Sequence, residues 1–335
     1  MYKIPPLRNN ADNKIRKVGF EIEFSGIETR EAANIVKSVY GGEIREKNRY
    51  YLKLKDTEIG DFTIKIDSSF LYQKKYSEIL EKLGIDNIKD LDEEKMYDHI
   101  EEILENIASG FVPHEIVTPP VSLDHLATFD ELVKKMNAQK AEGTGSSVIY
   151  AFATHINPEA PSLEVRSILS YLRAFFLLYE WLYEELNIDF TRKLTSFINP
   201  FSKKYIQKIL DPEYTPEMKT FIHDYIEFNP ERNRPLDLYP LLSYIEPKVK
   251  ELEETGIVKP RPTYHYRLPN SEIDQKDWNF SNEWNYWWYV EKLASEKESI
   301  NNLSKIYLDI YDKILTNSKN DWLEKIGDWV KQTNK

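Results

Sequence analysis

Stretches of alternating apolar and polar residues run through the chain and predict a set of strands. Residues 16–24, RKVGFEIEF, predict a strand with Phe20, Ile22 and Phe24 on one face and Glu21 and Glu23 on the other. Other alternating stretches lie at residues 50–56 and 61–67, 111–120, 149–158 and 261–269. The pair at 50–67 contains Gly60 in its connection and predicts a β-hairpin.

Helical spacing fills most of the remaining chain. TREAANIVKSVYGG, residues 29–42, predicts an amphipathic helix ending at two glycines. Two helices are expected within residues 76–107 and one near 123–137, and residues 161–185 are the most apolar helix. Helices interrupted by proline are expected up to about residue 250, and helices again over 281–333, where we interpret the clustered tryptophans as core residues.

The hairpin, and the absence of a glycine-rich dinucleotide-binding motif, favour an α+β fold with an antiparallel sheet over a doubly wound parallel sheet. We expect one domain over residues 1–335. Its sheet core would span about 14–160 and 258–296, with a helical insertion at about 161–255 and C-terminal helices at 297–335.

Composition narrows the possible partners. The 45 basic and 56 acidic residues give a net charge of −11, which argues against general electrostatic binding to nucleic acid or to anionic membranes. There is no cysteine, so disulfides and thiolate metal sites are excluded. The sequence has neither a signal-peptide pattern nor a run of eighteen apolar residues, and we expect a cytoplasmic protein.

Glu21 and Glu23 are the first candidates for chemistry. Residues two apart on a strand point to the same face, about 7 Å apart, so each carboxylate can reach a different ion of a metal pair. Carboxylates held that close repel each other unless a cation lies between them. The alternatives are that this face is solvated, or that lysine and arginine neutralise it.

Other predicted strands add polar residues of the same kind. Asp67 and Glu115 lie at strand ends, opposite their apolar neighbours, and His155 shares a face with Ala153 and Asn157. Carboxylates with an imidazole suit Mg²⁺ or Mn²⁺ better than structural zinc. Taken singly, a carboxylate at a strand end is most often solvated, and a lone histidine beside apolar neighbours is usually a hydrogen-bonded core residue.

The last predicted strand carries cationic residues. RPTYHYRLP contains Arg261, His265 and Arg267, and the last two share a face. Arginine beside metal ions can bind phosphate oxygens, or it can pair with an acidic residue. In NPERNRP, Arg232 and Arg234 can bind a carboxylate substrate, unless this stretch is a helix-capping loop.

Six motifs in order resemble the putative amidoligase family of the glutamine synthetase and glutamate–cysteine ligase superfamily. They are VGFEIEFSGI, DFTIKIDSS, HEIVTPPV, GTGSSVIYAFATHINPE, NPERNRPLDLYPLL and RPTYHYRLPNSEID, and they extend from about residue 5 to about residue 300. The resemblance implies a curved antiparallel sheet of glutamine synthetase type that binds ATP and two or three divalent metals. It also implies a reaction in which ATP phosphorylates a carboxylate and an amine captures the acyl phosphate, giving an amide or isopeptide bond.

The resemblance also implies roles for individual residues. Glu21 and Glu23 match paired metal-binding glutamates that take part in catalysis, and Glu115 and Asp67 match further acidic metal positions. His155 matches a histidine expected on metal or phosphate. Arg267 matches the arginine of a Glu-x-Arg motif that holds nucleotide phosphate, and Arg261 is a further candidate for that role.

Two positions depart from the family pattern. Ala153 stands where the pattern has glycine before the histidine, and His265 replaces the glutamate of Glu-x-Arg. An imidazole at position 265 remains a candidate ligand, better suited to Mn²⁺ than to Mg²⁺.

The leading hypothesis is therefore an ATP-dependent carboxylate–amine ligase that uses Mg²⁺ or Mn²⁺. A metal-dependent hydrolase without ATP and a non-catalytic binding protein on the same fold remain alternatives. A hydrolase of neutral substrates would not need Arg267, and the binding-protein alternative is motivated by His265. The sequence identifies neither substrate, and it does not indicate the oligomeric state.

Overall fold

The computed structural model describes residues 1–67, 113–139, 141–143, 152–188, 198–251, 258–312 and 318–334. Within these residues nine strands form one open antiparallel sheet. They are β1 (Lys17–Phe24), β2 (Glu43–Asn48), β3 (Tyr51–Lys55), β4 (Phe62–Ile66), β5 (His114–Val117), β6 (Val121–Ser122), β7 (Thr154–Pro158), β8 (Leu236–Asp237) and β9 (His265–Tyr266). The strand order is β2-β3-β4-β5-β1-β7-β9-β8, and β6 pairs with the beginning of β1.

Nine α-helices lie in the same described ranges. They are α1 (Thr29–Tyr40), α2 (Asp130–Ala138), α3 (Val165–Glu185), α4 (Lys203–Leu210), α5 (Met218–Phe228), α6 (Tyr239–Ile245), α7 (Phe280–Ala294), α8 (Lys297–Asp312) and α9 (Ser318–Thr333). Short 3-10 helices at Leu123–Phe129 and Pro247–Glu251 precede α2 and follow α6. No helix of the described ranges is long and apolar enough to cross a membrane.

One face of the sheet is apolar and is covered by helices. Phe20 of β1 stacks on Phe280 of α7 with ring centroids 4.2 Å apart, and Tyr40 of α1 stacks on Phe62 of β4 at 5.0 Å. Farther along the sheet, Tyr266 of β9 contacts Trp287 of α7, with ring centroids 5.2 Å apart. Burying this face removes a continuous apolar surface from water, which is the main stabilising contribution to such a fold.

The α+β class with an antiparallel sheet and a helical C-terminal tail is confirmed. The predicted hairpin is the β3–β4 pair, in which Leu52 lies opposite Ile64. The predicted helix after β1 is α1, which begins with a capping box between Glu28 and Glu31. It ends before Gly41, whose φ of 69° is the left-handed conformation that favours glycine.

The structure also differs from the predicted elements. The edge strand β2 has the sequence EIREKN, which is too polar to be recognised by alternation. The strand β8 lies in a stretch where the sequence predicted helices. The strand predicted over 261–269 is regular only at His265–Tyr266. Pro262 and Pro269 lie on either side of it and cannot donate backbone hydrogen bonds. The helix expected near 123–137 is instead a 3-10 helix followed by α2.

Two expectations fall on chain that the structure does not describe: the helices within 76–107, and the loop and early strand residues at 144–151. For the tail, the core interpretation of the tryptophans agrees with the structure for Trp278, Trp284 and Trp287, which are all buried. Residues 161–255 include α3, which packs on α7, and β8, which pairs with β9.

Candidate active site

The face of the sheet opposite these helices carries a row of polar side chains. Strand pairing places Glu23 opposite Glu115, Glu21 opposite His155, and Glu115 opposite Lys65. Because side chains alternate along each strand, these residues all point away from the apolar face. Asp237 lies opposite His265 at the far end of the same row. We refer to the row across β4, β5, β1, β7, β9 and β8 as the polar face.

Glu21 is at the centre of this face and is 8% exposed. One carboxylate oxygen accepts a hydrogen bond from Asn157 Nδ2 at 2.9 Å and lies 3.4 Å from the guanidinium of Arg261. The other oxygen is 3.1 Å from His155 Nδ1. Three neighbours from β7 and the segment before β9 therefore stabilise one buried carboxylate.

Glu23 lies on the other side of His155. Its carboxylate accepts a hydrogen bond from the backbone N–H of Ala153 at 2.7 Å, and its second oxygen is 3.6 Å from His155 Nε2. Ala153 thus has a backbone role at the position where the family pattern has glycine. The imidazole of His155 stands between two carboxylates.

His265 completes the centre of the site. Its Nδ1 is 2.6 Å from Asn157 Oδ1, and its ring lies edge-on to that of His155, with centroids 4.9 Å apart. Asn157 connects His265 to Glu21, since its amide nitrogen donates to the carboxylate while its oxygen contacts the imidazole. Together Glu21, His155 and His265 each offer one ligand atom, and these atoms lie within 4.8 Å of one another.

The pKa values of these groups follow from burial and from nearby charges. Burial lowers the pKa of His155, and it lowers that of His265 well below 6.5, aided there by the charges of His155, Arg267 and Arg261. Burial alone would raise the pKa of Glu21, but His265, His155 and Arg261 together hold it well below 4.5. With both imidazoles neutral at neutral pH, the guanidinium of Arg261 and the hydrogen bonds from Asn157 and His155 are the contacts that favour the ionised form of Glu21.

Glu115 is farther along the face and is paired with a lysine. Its carboxylate is 3.0 Å from Lys65 Nζ, and the side chains are only 5% and 12% exposed. Burial raises the pKa of Glu115 to about 8, although Lys65 acts to lower it, and the charges of Glu21 and Asp67 also raise it. Asp67 follows β4 directly, and its backbone N–H donates to Pro113.

The predicted arginines divide into two groups. Arg261 contacts Glu21, and Arg267 is close enough for its charge to lower the pKa of both histidines. Arg267 also donates to the carbonyl of Arg232 at 3.1 Å, while Arg232 itself donates to buried Asp237 at 2.9 Å. These three arginines lie at the β9 end of the polar face.

Arg234 is not brought into this group. Its guanidinium donates to the carbonyl of Pro200 at 2.8 Å and lies over the ring of Phe201. It therefore connects the loop after α5 to the segment before α4. Asn229 is the C-terminal cap residue of α5, and its side-chain amide donates to the carbonyl of Tyr225.

Three residues outside the predicted set lie on the polar face, namely Asn157, Lys65 and Asp237. Asn157 has the same strand parity as His155, and Lys65 has the same parity as Asp67, so alternation places both on this face. The sequence does not predict that Asp237 lies on this face, because β8 is only two residues long and lies where the spacing is helical.

The donor set fits a divalent cation. A neutral His155 has one ring proton, so only one of its nitrogens can donate, and the other then presents a lone pair to a carboxylate oxygen. A cation beside that nitrogen would relieve this contact, and it would also compensate the charges of Glu21 and Glu23.

Comparison with known protein families identifies the family of the chain. The family model described as "Putative amidoligase enzyme" matches residues 14–289. The chain belongs to this family. The range matched to the amidoligase family contains all nine described strands and every residue of the polar face. Comparisons with curated proteins and with solved structures gave no match.

Proposed function

We propose that this amidoligase-family protein is an ATP-dependent carboxylate–amine ligase that forms an amide or isopeptide bond through an acyl phosphate. The observation that carries the proposal is the convergence of Glu21, Glu23 and His155 in one buried cluster with arginines at its edge. The family membership supports an enzyme that forms carbon–nitrogen bonds. The remaining steps come from the chemistry of the polar face and from the glutamine synthetase-type resemblance.

In the proposed reaction a carboxylate oxygen of one substrate bonds to the γ-phosphorus of ATP, and ADP leaves. The amine nitrogen of the second substrate then bonds to the acyl carbon, phosphate leaves, and the amine proton passes to a base. Glu21, Glu23 and His155 would hold Mg²⁺ or Mn²⁺, with Asp67 and Glu115 as further ligands. A bound cation would supply neutralisation of charge on the phosphate oxygens.

The protein's own cations have defined roles in this proposal. Arg267 and Arg261 would bind phosphate oxygens, because a guanidinium can donate two parallel hydrogen bonds to an anion. Arg261 now lies 3.4 Å from Glu21 and would exchange this contact for a phosphate. Arg232 would orient the carboxylate substrate at the β9 end, and Arg234 would act indirectly by holding the loop that carries Arg232.

Glu115 could bind a cation only under an additional condition. The ammonium group of Lys65 lies 3.0 Å from this carboxyl group across β4 and β5, so Glu115 would bind a cation only if it lost its proton and the ammonium group moved away. We therefore assign Glu23, Glu21 and His155 the principal roles, and Glu115 a supporting one. The family resemblance leaves the identity of both substrates open, since specificity depends on loops and side chains around the shared chemistry.

The proposal is tested by ADP release across a panel of amino acids, peptides and polyamines, with Mg²⁺ or Mn²⁺. We expect ADP release that depends on both a carboxylate and an amine, with loss of about 100-fold or more in Glu23→Gln and Arg267→Ala, because each removes charge stabilisation of phosphoryl transfer. Lys325→Ala, an exposed lysine of α9 outside the polar face, is the control and should keep full activity.

Metal binding without ADP release in any mixture would contradict the ligase proposal. Hydrolysis of an amide or ester under those conditions would support the hydrolase alternative instead. ADP release that is unchanged in Glu23→Gln would show that the cluster is not the site of phosphoryl transfer.

A further inference from the structure

The centre of the polar face contains two imidazoles and one carboxylate rather than carboxylates alone. Glu21, His155 and His265 are 8%, 5% and 5% exposed, and their ligand atoms lie within 4.8 Å of one another. Metal–ligand bonds are about 2.1 Å long, so one ion could bind all three groups after the cluster contracts around it.

The orientation of His265 is set by its neighbour. Asn157 donates through Nδ2 to Glu21, so its amide oxygen is the atom that faces His265 Nδ1 at 2.6 Å. An amide oxygen only accepts hydrogen bonds, and Nδ1 must therefore carry the proton. The lone pair of the neutral ring is then on Nε2, and among the described residues none hydrogen-bonds that nitrogen. A metal-binding histidine typically has this arrangement, with one nitrogen donating to a protein oxygen and the other free to bind.

His155 supplies the second imidazole from the neighbouring strand. It lies between Glu21 and Glu23, at 3.1 Å and 3.6 Å, and its ring contacts that of His265. A neutral imidazole carries a proton on only one of its two nitrogens. The other nitrogen of His155 therefore has a lone pair that can bind a metal ion. Two nitrogen donors and a carboxylate therefore converge from β1, β7 and β9.

We infer that this site selects a divalent first-row transition cation, such as Mn²⁺ or Co²⁺, over Mg²⁺, with His265 Nε2 as a ligand and Asn157 as a positioning residue. Mg²⁺ prefers oxygen ligands and retains its waters, whereas imidazole nitrogen suits transition ions. The inference deepens the proposed function and rests on it only in placing a cation at this cluster.

The experiment measures metal binding directly, without nucleotide or substrate. The 335-residue protein is freed of metal with a chelator and titrated by calorimetry with Mn²⁺ and with Mg²⁺. Co²⁺ is added separately, and its visible absorption reports on its ligands. The variants are His265→Gln, His265→Glu and Asn157→Leu, and circular dichroism of the metal-free proteins shows whether each is folded.

The matched control is His223→Gln. His223 is an exposed histidine of α5 that lies near Asp224 and Glu227, the second cluster of potential ligands in the described ranges. Removing the His223 imidazole shows how much of the measured metal binding occurs at this surface cluster and how much at the polar face.

We expect wild-type protein and His223→Gln to bind Mn²⁺ equally and at least tenfold more tightly than Mg²⁺. His265→Gln should weaken Mn²⁺ binding by at least tenfold, and Asn157→Leu by about 10–100-fold, as is typical for loss of a residue that orients a ligand. His265→Glu replaces nitrogen by oxygen, so it should lower the ratio of Mn²⁺ to Mg²⁺ affinity by tenfold or more and alter the Co²⁺ absorption.

Mn²⁺ affinity in His265→Gln equal to that of wild type would overturn the inference, as would an unchanged affinity ratio in His265→Glu. A loss in His223→Gln as large as that in His265→Gln would place the ion elsewhere. A failure of the ligase proposal can be distinguished from a failure of this inference. In that case the variants bind metal as expected above, but no substrate mixture releases ADP. Conversely, if the wild-type protein releases ADP but His265→Glu has the wild-type ratio of Mn²⁺ to Mg²⁺ affinity, the ligase proposal stands and the inference about His265 is wrong.

Discussion

Arg16, the residue before β1, and Glu291 of α7 form a fully buried ion pair. Both side chains have no exposed surface, and two guanidinium nitrogens lie 2.6 Å and 2.9 Å from the carboxylate oxygens. Glu291 also accepts hydrogen bonds from Tyr171 and from Trp287 Nε1. Arg16 also donates to the backbone carbonyls of Leu7 and Glu159. Removing one partner of such a buried pair leaves the charge of the other without its counterion.

We expect Glu291→Gln to lower the free energy of unfolding by about 3–5 kcal/mol, because it leaves the charge of Arg16 buried and uncompensated. Urea unfolding measures the change. Glu296→Gln, whose carboxylate pairs with partly exposed Lys292 at 2.8 Å, is the control and should lose about 1 kcal/mol or less. Equal losses in the two variants would contradict this account.

Strand parity predicted which side chains of the candidate site share one face of the sheet. Glu21, Glu23 and His155 lie together as their strand parity indicated, and Arg261 lies beside them. The pairing of Glu115 with Lys65 was not predicted, because it depends on register between strands about fifty residues apart in the chain. Strand parity shows the face on which a side chain lies, but only pairing shows its neighbour.

At the scale of elements, α4 and α5 are held together by a polar contact. Asp224 of α5 accepts a hydrogen bond from Tyr214 at 2.6 Å and lies 2.7 Å from Lys208 of α4. Burial raises the pKa of Asp224, but the hydrogen bonds from Lys208 and Tyr214 outweigh this effect and lower the pKa below 3.8. The folded state therefore favours the ionised carboxylate.

This pKa shift predicts a pH-dependent effect of Asp224→Asn. A folded-state pKa below the unfolded value stabilises the protein above the unfolded pKa, and this contribution is lost as pH falls through the folded pKa. We expect the variant to be less stable by about 1 kcal/mol at pH 7 and the difference to shrink below about pH 4. Urea unfolding across this pH range measures it, with exposed Glu227→Gln as the control. A difference that grows on acidification would contradict the assignment.

Elements with a strong periodic pattern were predicted well, and short ones were not. α1, β1 and α3 each bury an apolar face along several turns or residue pairs, so their patterns are evident in the sequence. β8 and β9 have two residues each and depend on hydrogen bonds to each other and to β7. Such strands have too few residues to show a period, and their existence depends on the rest of the sheet.

For the whole molecule, the polar face gathers charges that the fold leaves only partly compensated. A ligand that binds the folded state alone stabilises it by mass action, by about 2.7 kcal/mol at a hundred times its dissociation constant. We expect Mn²⁺ with ATP to raise the thermal unfolding midpoint of the wild-type protein, and a chelator to reverse the increase. Glu23→Gln should respond much less, because it lacks one of the carboxylates beside His155. An equal increase in both proteins would place the ligands away from this cluster.

The linear order of residues was enough to predict the α+β class, the long helices, the parity of the strands that alternate clearly and the family, since these depend on local periodicity and on motifs in order. The tertiary structure was needed for the strand order that sets β5 and β7 on either side of β1. That order brings His155 between two glutamates, places Asn157 against His265 and gives Glu115 a lysine. Those contacts join residues far apart in the chain, and their energies arise only when the sheet forms and water is excluded from its polar face.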